Sequence, residues 1–359
     1  MKKIKIGKKV ISEQSRPFII AEAGVNYYEI SEKKRISLID SAKLMIKEAS
    51  ENGADAIKFQ TYKAERIVLK NSPAYWDTKK EKVASQYELF KKYDNFDEDE
   101  FKELAKYAKK QNIIFLSTPF HEEAVDFLDE LVPAFKISSS DITNLPLIKY
   151  IAKKGKPIFL STGASTICEI EKAINTIEGE ENNQIVVMHC ILEYPTKYEN
   201  ANLNMIKYLR LVFPERLVGY SDHTIPNPSM LVLTVSALLG AKVIEKHFTL
   251  DKSLPGNDHY HAMDPADLKK LVNNINLLEK ILGQNKKKPI KCELSARKNA
   301  RRSIVAKTDI SYGKKITQDM LTLKRPGIGI EPEFLSLIIG RKIARDIKKD
   351  EIIKWEDLI

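Results

Sequence analysis

His223 and His247 each stand at the end of a short apolar run rich in β-branched residues. The interval between them is about the length of one strand–helix repeat, so we expect the two imidazoles on neighbouring parallel strands at the same end of a sheet. Neutral imidazole is a common ligand of divalent transition metals, and two such ligands leave positions open for water or substrate. Either histidine alone is more typical of a hydrogen-bonded core residue. The pair, beside several acidic residues, favours a Lewis-acid metal site.

Lys58 and Lys136 lie inside apolar strand-like runs, AIKFQTY and AFKISS. A lysine in such a run is costly unless an anion compensates it, although each one alone is compatible with snorkelling at a sheet end. Hydroxyl and other polar side chains follow the other runs, among them Asn26, Gln60, Thr118, Ser139, Ser161 and Ser221. Point charges with directional hydroxyl donors suit a substrate that carries both carboxylate and phosphate.

A two-histidine metal beside such a pocket indicates carbon–carbon bond formation with an enol phosphate, because the metal can polarise the aldehyde that the enol carbon attacks. Glu22 ends the first run and is the carboxylate placed to stabilise positive charge or to handle a proton. A salt bridge to a pocket lysine is its alternative role, and the two roles are compatible.

Eight apolar runs must position these residues. Continuous apolar runs that alternate with amphipathic helices predict a parallel sheet covered on both faces, and eight of them predict a closed (β/α)8 TIM barrel, with chemistry at the carboxyl ends of the strands. The runs begin at Pro17, Ala56, Ile113, Ala134, Pro157, Gln184, Leu217 and Val243. The patterns between them predict helices that include Ser31 to Asn52, Pro226 to Leu239 and Pro265 to Leu282, and Thr166 with Glu169 predicts a capping box. The connection from Lys63 to Asn95 is long enough to act as a lid or a partner surface.

The pattern changes after Gly283. We expect a catalytic barrel over residues 1–283, a linker over 284–300 and a small β-rich domain over 301–359. A domain of that size buries little by itself, so we expect it to dock on the barrel or on a second subunit. The linker holds much of the basic excess of a chain of 359 residues with a formal charge of +10. No aromatic residue interleaves the basic run, so a solvated linker is favoured over a nucleic-acid surface.

The three cysteines are widely spaced, which indicates free thiols rather than a disulfide framework. We find neither a membrane-spanning run nor a signal peptide, and we expect a cytoplasmic protein that binds no membrane.

The combination IIAEAGVN, IKFQTY, FLSTPF, FKISSSD, FLSTGAS, HC-x-x-x-YPT, GYSDHT, EKHFTLD and GNDHYHAMD resembles the sialic acid synthase family across the barrel. That family comprises N-acetylneuraminate synthases and the related legionaminic and pseudaminic acid synthases. The tail from Arg302 resembles the antifreeze-like (SAF, β-clip) domain that these synthases carry. The resemblance implies condensation of phosphoenolpyruvate with an open-chain N-acetylated amino-hexose, either N-acetylmannosamine or a related 2,4-diacetamido-trideoxyhexose, to a nine-carbon sugar acid and phosphate.

The resemblance also implies roles for single residues. His223 and His247 would bind the metal, with Mn²⁺ expected and Mg²⁺ or Co²⁺ possible, and Glu22 would be catalytic. Lys58 and Lys136 would bind phosphoenolpyruvate, helped by Thr118, Ser139, Ser161 and Ser221. The sugar contacts would be Asn26, Gln60, Phe120, Tyr194, Asp258 and Arg325. Arg325 would act in the site of the partner subunit, which implies a domain-swapped homodimer.

The chain departs from the family's sequence pattern at two places, both near the expected position of the sugar. Many members of the family follow the glutamate motif with N-H-x-G, whereas this chain has Asn26, Tyr27, Tyr28 and Glu29. The position two residues before Tyr194 is Leu192, where members that use N-acetylmannosamine often have asparagine. The sequence thus indicates the reaction class more firmly than the sugar.

Two other readings stay open. A related enol-phosphate synthase would make a seven- or eight-carbon acid, against which the tail argues. A decayed, non-catalytic barrel would bind carbohydrate or nucleic acid, against which the intact Glu22, the two lysines, the two histidines and Arg325 argue.

Overall fold

The computed structural model describes residues 2–76, 78, 81–256 and 258–359. The chain divides into two compact units, Met1–Gly283 and Gln284–Ile359. None of the helices in these described ranges is long and apolar enough to cross a membrane.

The first unit is built on eight parallel strands, preceded by a short hairpin. The hairpin strands are β1 (Lys3–Ile6) and β2 (Lys9–Ser12). The parallel strands are β3 (Phe18–Gly24), β4 (Ala56–Thr61), β5 (Ile114–Pro119), β6 (Phe135–Ile137), β7 (Ile158–Ser161), β8 (Ile185–Cys190), β9 (Leu217–Asp222) and β10 (Val243–His247). Their order is β5-β4-β3-β10-β9-β8-β7-β6, and β5 also contacts β6, so the sheet curves into a near-closed barrel. The predicted eight-stranded α/β barrel is confirmed.

Helices connect the strands on the outside of the barrel. They are α1 (Tyr27–Lys34), α2 (Leu38–Glu51), α3 (Ala64–Ile67), α4 (Gln86–Tyr93), α5 (Glu98–Lys110), α6 (Glu122–Asp129), α7 (Leu145–Ala152), α8 (Ile167–Glu178), α9 (Asn204–Val212), α10 (Leu231–Leu238) and α11 (Pro265–Leu282), with 3-10 turns at Ser139–Asp141 and Tyr198–Asn200. The predicted capping box at the start of α8 is present, since Thr166 and Glu169 bond reciprocally to each other's backbone. Helix α11 has the predicted bounds.

Two predicted helices are wrong in their bounds. The single helix from Ser31 to Asn52 is two helices, because Arg35 takes a left-handed conformation (φ 54°) and Ser37 caps a new start. The helix expected from Pro226 begins only at Leu231, after Met230, which also has a positive φ of 51°. In both places a local backbone reversal interrupts a continuous apolar pattern.

The β1–β2 hairpin packs at the amino-terminal end of the barrel. Ile6 and Ile11 are buried in the barrel core, and Gly7 lies beside Ile114, which begins β5. Asp55, just before β4, forms ion pairs with Lys9 and Arg16. This end of the barrel is therefore covered by the hairpin, while the functional side chains gather at the other end.

The long connection between β4 and α5 forms a small cluster of its own. Helices α3 and α4 lie within it, and its core is Tyr62, Trp76, Leu89 and Tyr93, packed with Val25 and Tyr28 of the first strand–helix turn. The connection thus packs against residues at the carboxyl ends of β3 and β4. Asp77, Lys79 and Lys80 of this predicted lid lie outside the described residues.

The second unit begins with a short helix and continues as short β pairings. Its elements are α12 (Leu294–Ala300), β11 (Ser303–Ala306), β12 (Leu321–Lys324) and α13 (Leu335–Ile338), with 3-10 turns at Lys291–Glu293, Gln318–Met320, Pro332–Phe334 and Trp355–Asp357. Strands β11 and β12 are antiparallel, and isolated bridges such as Ile310 with Ile347 extend the pairing. An isoleucine-rich core, including Ile304, Ile316 and Ile353, holds this unit together.

Candidate active site

The strand register brings the polar strand ends together. Glu22 on β3 is the direct neighbour of Lys58 on β4 and of His247 on β10, and Ser221 on β9 is the neighbour of Glu245 on β10. Side chains alternate between the two faces of a strand, so residues two apart, such as Glu245 and His247, point to the same side. The barrel geometry therefore places these groups at one mouth.

One chamber at this mouth, which we call the lysine chamber, is lined by charged and hydroxyl side chains: Glu22, Lys58, Thr118, Lys136, Ser139, Ser161, Ser221, Glu245 and others. The Lys58 Nζ lies 2.5 Å from Glu22 Oε2 and donates to Thr118 Oγ1 at 2.9 Å. The Lys136 Nζ donates to Glu245 Oε1 at 3.0 Å, and Ser221 donates to the same oxygen at 3.2 Å. Both predicted lysines thus point into the barrel mouth.

The charges in the lysine chamber are strongly coupled. Burial raises the pKa of Glu22 to about 7, against the opposing charge of Lys58. Burial acts in the same sense on Glu245, but the charges of Lys136 and Lys58 hold its pKa below its usual range. Burial acts to lower the pKa of Lys58, and the charges of Glu22 and Glu245 nevertheless raise it. At neutral pH Lys58 and Glu245 are charged, while Glu22 is poised to gain or lose a proton.

Some polar atoms in the lysine chamber are available to a ligand. Ser161 Oγ and Glu245 Oε2 are buried and have no hydrogen-bond partner among the described residues. Buried polar atoms without partners are uncommon in folded proteins unless water, an ion or a ligand completes them. Ser139 differs, because its Oγ accepts a hydrogen bond from the Gly163 N–H at 2.9 Å.

A group of possible metal ligands adjoins the lysine chamber. His247, Asp258 and His261 each offer one ligand atom, and these atoms lie within 4.8 Å of one another. His247 Nδ1 lies 3.5 Å from Asp258 Oδ2 and is buried without a hydrogen-bond partner among the described residues. Two imidazoles and a carboxylate suit a divalent transition metal, so the residues present fit such an ion.

Burial prepares the histidines for this role. It holds the pKa of His247 well below its usual range, and the neighbouring His261 and His223 act in the same direction. Burial likewise lowers the pKa of His223 to about 4. Both imidazoles are therefore neutral at pH 7, which is the form that binds metals.

His223 stands beside this cluster rather than within its tightest group. Its ring centroid is 5.4 Å from that of His247 and 6.3 Å from that of His261. Its Nδ1 donates to the carbonyl of Ile191 at 2.7 Å, which leaves Nε2 as the nitrogen with a free lone pair. The structure thus brings the two predicted histidines together and adds Asp258, which the sequence had assigned to the sugar, and His261, which it had not singled out.

A second chamber, which we call the aromatic chamber, shares Gln60, Tyr194 and His247 with the first. It is lined also by Val25, Asn26, Glu29, Tyr62, Tyr75, Trp76, Leu89, Phe90, Tyr93, Gly256, Asp258 and His259. Much of this wall comes from the long connection after β4. The Trp76 indole donates to the Val83 carbonyl, and the Tyr93 hydroxyl donates to Glu29. The chamber therefore offers aromatic ring faces together with polar groups such as Gln60, Asp258 and His259.

Five of the six residues predicted to contact the sugar line one or both chambers: Asn26, Gln60, Phe120, Tyr194 and Asp258. Tyr194 packs over His223 with ring centroids 4.1 Å apart, and Gln60 donates to Glu22 Oε1 at 3.2 Å. Phe120 lines the lysine chamber. The Asn26 amide is occupied structurally, since it donates to the carbonyl of Phe248 at 2.9 Å. Arg325 belongs to the second unit, directly after β12, and its role stays a prediction.

Two further residues of the site were not assigned a role from the sequence. Glu245 alternates with His247 on β10, a spacing that places it on the mouth side of the strand. His261 alternates with His259 in the run DHYH, which was a visible signal for a metal ligand.

Comparisons with known proteins identify the family of the chain. Residues 45–287 match the NeuB family, and residues 301–359 match the SAF domain. An uncharacterized protein of Methanocaldococcus jannaschii is 46% identical over 100% of this chain and 99% of its own. N,N'-diacetyllegionaminic acid synthase of Legionella pneumophila is 39% identical over 95% of this chain and 94% of its own. A crystal structure of the spore coat polysaccharide biosynthesis protein SpsE of Bacillus subtilis covers 100% of this chain and 99% of that chain, with 34% identity and a TM-score of 0.66.

The resemblance seen in the sequence is thereby confirmed, for the barrel and for the tail. The chain belongs to the NeuB family of synthase enzymes and carries a SAF domain at its carboxyl end.

Proposed function

We propose that this enzyme condenses phosphoenolpyruvate with the open-chain form of an N-acetylated amino-hexose, giving a nine-carbon sialic-acid-type sugar acid and inorganic phosphate. The observation that carries the proposal is that the lysine chamber adjoins the metal-ligand group. His247 lines the chamber and is also a member of that group. One site can then hold two substrates: an anion that carries both phosphate and carboxylate, and an aldehyde whose oxygen lies beside a metal.

The reaction balances as an addition followed by an elimination. C3 of the enol phosphate bonds to the aldehyde carbon, the C=O electron pair moves onto the aldehyde oxygen, and C2 becomes an electron-poor, oxocarbenium-like centre. Water adds to C2 and loses a proton, which balances the proton that the aldehyde oxygen takes up to become a hydroxyl group. The C2–O bond to phosphate then breaks, the C2 hydroxyl gives up its proton to the departing phosphate, and C2 becomes the ketone of the product.

We assign the binding of phosphoenolpyruvate to Lys58 and Lys136, helped by Thr118, Ser139, Ser161 and Ser221. The two ammonium groups are buried, so they act on phosphate and carboxylate in a medium where charges are weakly screened. They already face carboxylates, and protonation of Glu22 on binding would leave Lys58 to the incoming anion.

Glu22 is the residue that we assign to proton handling. It is buried, it lies between Lys58 and His247 in register, and its pKa of about 7 allows both protonation states near neutral pH. The position next to the enol phosphate would let it hold or release the proton exchanged when water attacks C2.

We take the metal to be divalent, Mn²⁺ with Mg²⁺ or Co²⁺ as alternatives. We assign His247 as a ligand of this metal, and His223, Asp258 and His261 are the other candidate ligands. When bound, such an ion supplies Lewis-acid polarisation of the aldehyde oxygen.

The aromatic chamber offers a sugar both ring faces and polar groups. We favour a 2,4-diacetamido-trideoxyhexose, whose two acetyl methyl groups and C6 methyl group can pack on ring faces, with N-acetylmannosamine, which offers more hydroxyl groups, as the alternative. The name of the Legionella pneumophila relative, N,N'-diacetyllegionaminic acid synthase, supports the same choice.

We also propose that the chain works as a domain-swapped homodimer. In this arrangement the barrel of residues 1–283 holds the site, residues 284–300 join it to the SAF domain of residues 301–359, and Arg325 reaches the sugar in the partner subunit. The SAF match supports the assignment of the domain, and Arg325 lies within it, directly after β12.

The proposal is tested with phosphoenolpyruvate, Mn²⁺ and a panel of aldehyde sugars, with phosphate release as the measurement. We expect release that depends on one N-acetylated amino-hexose and a product with the mass of the nine-carbon acid. Lys136→Gln should abolish release, while Lys153→Gln, an exposed lysine away from the chamber, should not. No release with any sugar would overturn the proposal, and strongly salt-dependent nucleic-acid binding would then favour a non-catalytic protein.

A further inference from the structure

Glu29 is a buried carboxylate at the meeting point of three chain segments. It lies on α1 and is 4% exposed. Its Oε1 accepts hydrogen bonds from the Tyr93 hydroxyl at 2.6 Å and from Lys92 Nζ at 2.9 Å, both on α4. Its Oε2 lies 3.3 Å from His259 Nε2, in the loop after β10. One carboxylate thus joins α1, the long connection over the mouth and the loop that carries Asp258 and His261.

The carboxylate is held in its charged form. Burial acts to raise the pKa of Glu29, but the hydrogen bonds from His259, Tyr93 and Lys92 hold it below its usual range. An ionised carboxylate only accepts hydrogen bonds, so His259 must donate through Nε2. Nε2, the imidazole nitrogen that faces Glu29, therefore carries a proton.

The other nitrogen of His259 is also engaged. Its Nδ1 lies 2.7 Å from the hydroxyl of Thr249, a fully buried residue two positions after β10. The same hydroxyl accepts from the backbone N–H of Asp251 at 3.2 Å. His259 is therefore clamped between Glu29 and the base of its own loop, and both sides of the ring are fixed.

The loop also passes close to the carboxylate through its backbone. Gly256 has a φ of +105°, and a Cβ atom there would lie 3.4 Å from the Tyr93 hydroxyl and 3.6 Å from Glu29 Cδ. A positive φ together with this close approach favours glycine. The path of the loop is thus defined on both sides of Asp258, by Gly256 before it and by His259 after it.

We propose that Glu29 is a positioning residue that holds the loop bearing Asp258 and His261 against His247, and thereby sets the affinity of the site for a divalent cation. The inference rests on the metal site of the proposed function. A buried charge with three partners is a costly way to stabilise a core, since apolar residues of similar volume commonly do as well. Its partners Tyr93 and His259 also line the aromatic chamber, so the network borders the site itself.

The test is a titration of the full chain with Mn²⁺ alone, in which electron paramagnetic resonance measures the free ion. Glu29→Gln preserves the shape of the side chain and removes its charge. We expect the dissociation constant for Mn²⁺ to rise by about tenfold or more, as for residues that orient metal ligands from outside the ligand set. Tyr93→Phe, which removes one donor to Glu29, should raise the dissociation constant by a smaller factor. This variant takes the place of Glu29→Gln in the test if Glu29→Gln does not fold.

Asp55→Asn is the matched control. Asp55 is a buried carboxylate with its own cluster of donors, Lys9, Arg16 and the Ile19 N–H, at the opposite end of the barrel. We expect this variant to lower the melting temperature without changing the Mn²⁺ affinity.

Unchanged Mn²⁺ affinity in Glu29→Gln, with or without lost stability, would overturn the inference and leave Glu29 a structural residue. Absence of Mn²⁺ binding by the unaltered chain would overturn it together with the metal assignment. The two failures are distinct, because the first leaves sugar-dependent phosphate release in the unaltered enzyme intact.

Discussion

Asp222 and Lys246 form a fully buried ion pair between β9 and β10, with Nζ and Oδ2 2.5 Å apart. Each residue directly precedes a histidine of the site, His223 or His247. Because side chains alternate along a strand, the pair points away from the mouth while the histidines point toward it. The Asp222 carboxylate also accepts from the Tyr220 hydroxyl and the Thr224 N–H. The Asp222–Lys246 ion pair, on the face of the strands that points away from the mouth, therefore fixes the register of β9 and β10 and with it the distance between the two histidines.

Breaking this pair should destabilise the fold strongly. Lys246→Met leaves the Asp222 charge buried without its counterion, and such losses cost about 3–5 kcal/mol of unfolding free energy. Urea denaturation followed by circular dichroism measures the change. The double variant Asp222→Leu with Lys246→Met should recover part of the loss, because no charge is then left unpaired. A loss below about 1 kcal/mol in the single variant would show that the pair does not hold the strands.

Replacing the histidines one at a time should show which of them bind the metal. We expect His247→Ala and His261→Ala to abolish Mn²⁺ binding and metal-dependent turnover, and His223→Ala to abolish turnover, with the fold retained in each. Chelation of metal from the unaltered enzyme should stop phosphate release, and added Mn²⁺ should restore it. Wild-type activity in His247→Ala would rule out a metal site at this position. Circular dichroism provides the control for folding.

Binding of phosphoenolpyruvate should be linked to protonation of Glu22. The pKa of Glu22 is about 7, and a nearby anion raises the pKa of a carboxyl group further, so at pH 7 the complex should take up protons at this residue. Calorimetry in buffers of different ionisation enthalpy measures the uptake. The ligand's own phosphate also titrates, and Glu22→Gln removes only the contribution of Glu22. Equal proton exchange in both proteins would contradict the assignment.

The swapped dimer predicts activity from a mixture of two inactive variants. Arg325→Ala and Lys58→Gln should each be nearly inactive. If Arg325 acts in the partner's site, random exchange of subunits gives mixed dimers with one intact site, and about a quarter of all sites become active. Sugar-dependent phosphate release after subunit exchange is the measurement. Recovery of no activity, with subunit exchange verified by differently tagged chains, would show that Arg325 does not act across subunits.

The sequence predicted what depends on local pattern. The barrel strands are buried on both faces, so they appear as continuous apolar runs, and a lysine such as Lys58 or Lys136 in such a run stands out. Glu22, His223 and His247 could be placed because parallel strands all end at the same edge of a sheet. The capping box of Thr166 and Glu169 could be predicted because both partners lie within one helical turn.

The parts that were not predicted depend on contacts between distant segments. The break at Arg35 is a backbone reversal in a run whose apolar spacing continues. His261 and Asp258 meet His247 only through the path of a loop that has no periodicity of its own. Glu29 was visible only as a departure from a motif, because its partners Tyr93 and His259 come from other parts of the chain.

The fate of the bridging oxygen of phosphoenolpyruvate distinguishes the proposed condensation from other reactions of this substrate. With ¹⁸O in the C2–O–P bridge, we expect incubation with Mn²⁺ and the accepted amino-sugar to release labelled inorganic phosphate, in an amount equal to the nine-carbon acid formed and only when the sugar is present. Label retained in the acid, or phosphate release that does not depend on the sugar, would contradict the proposed condensation.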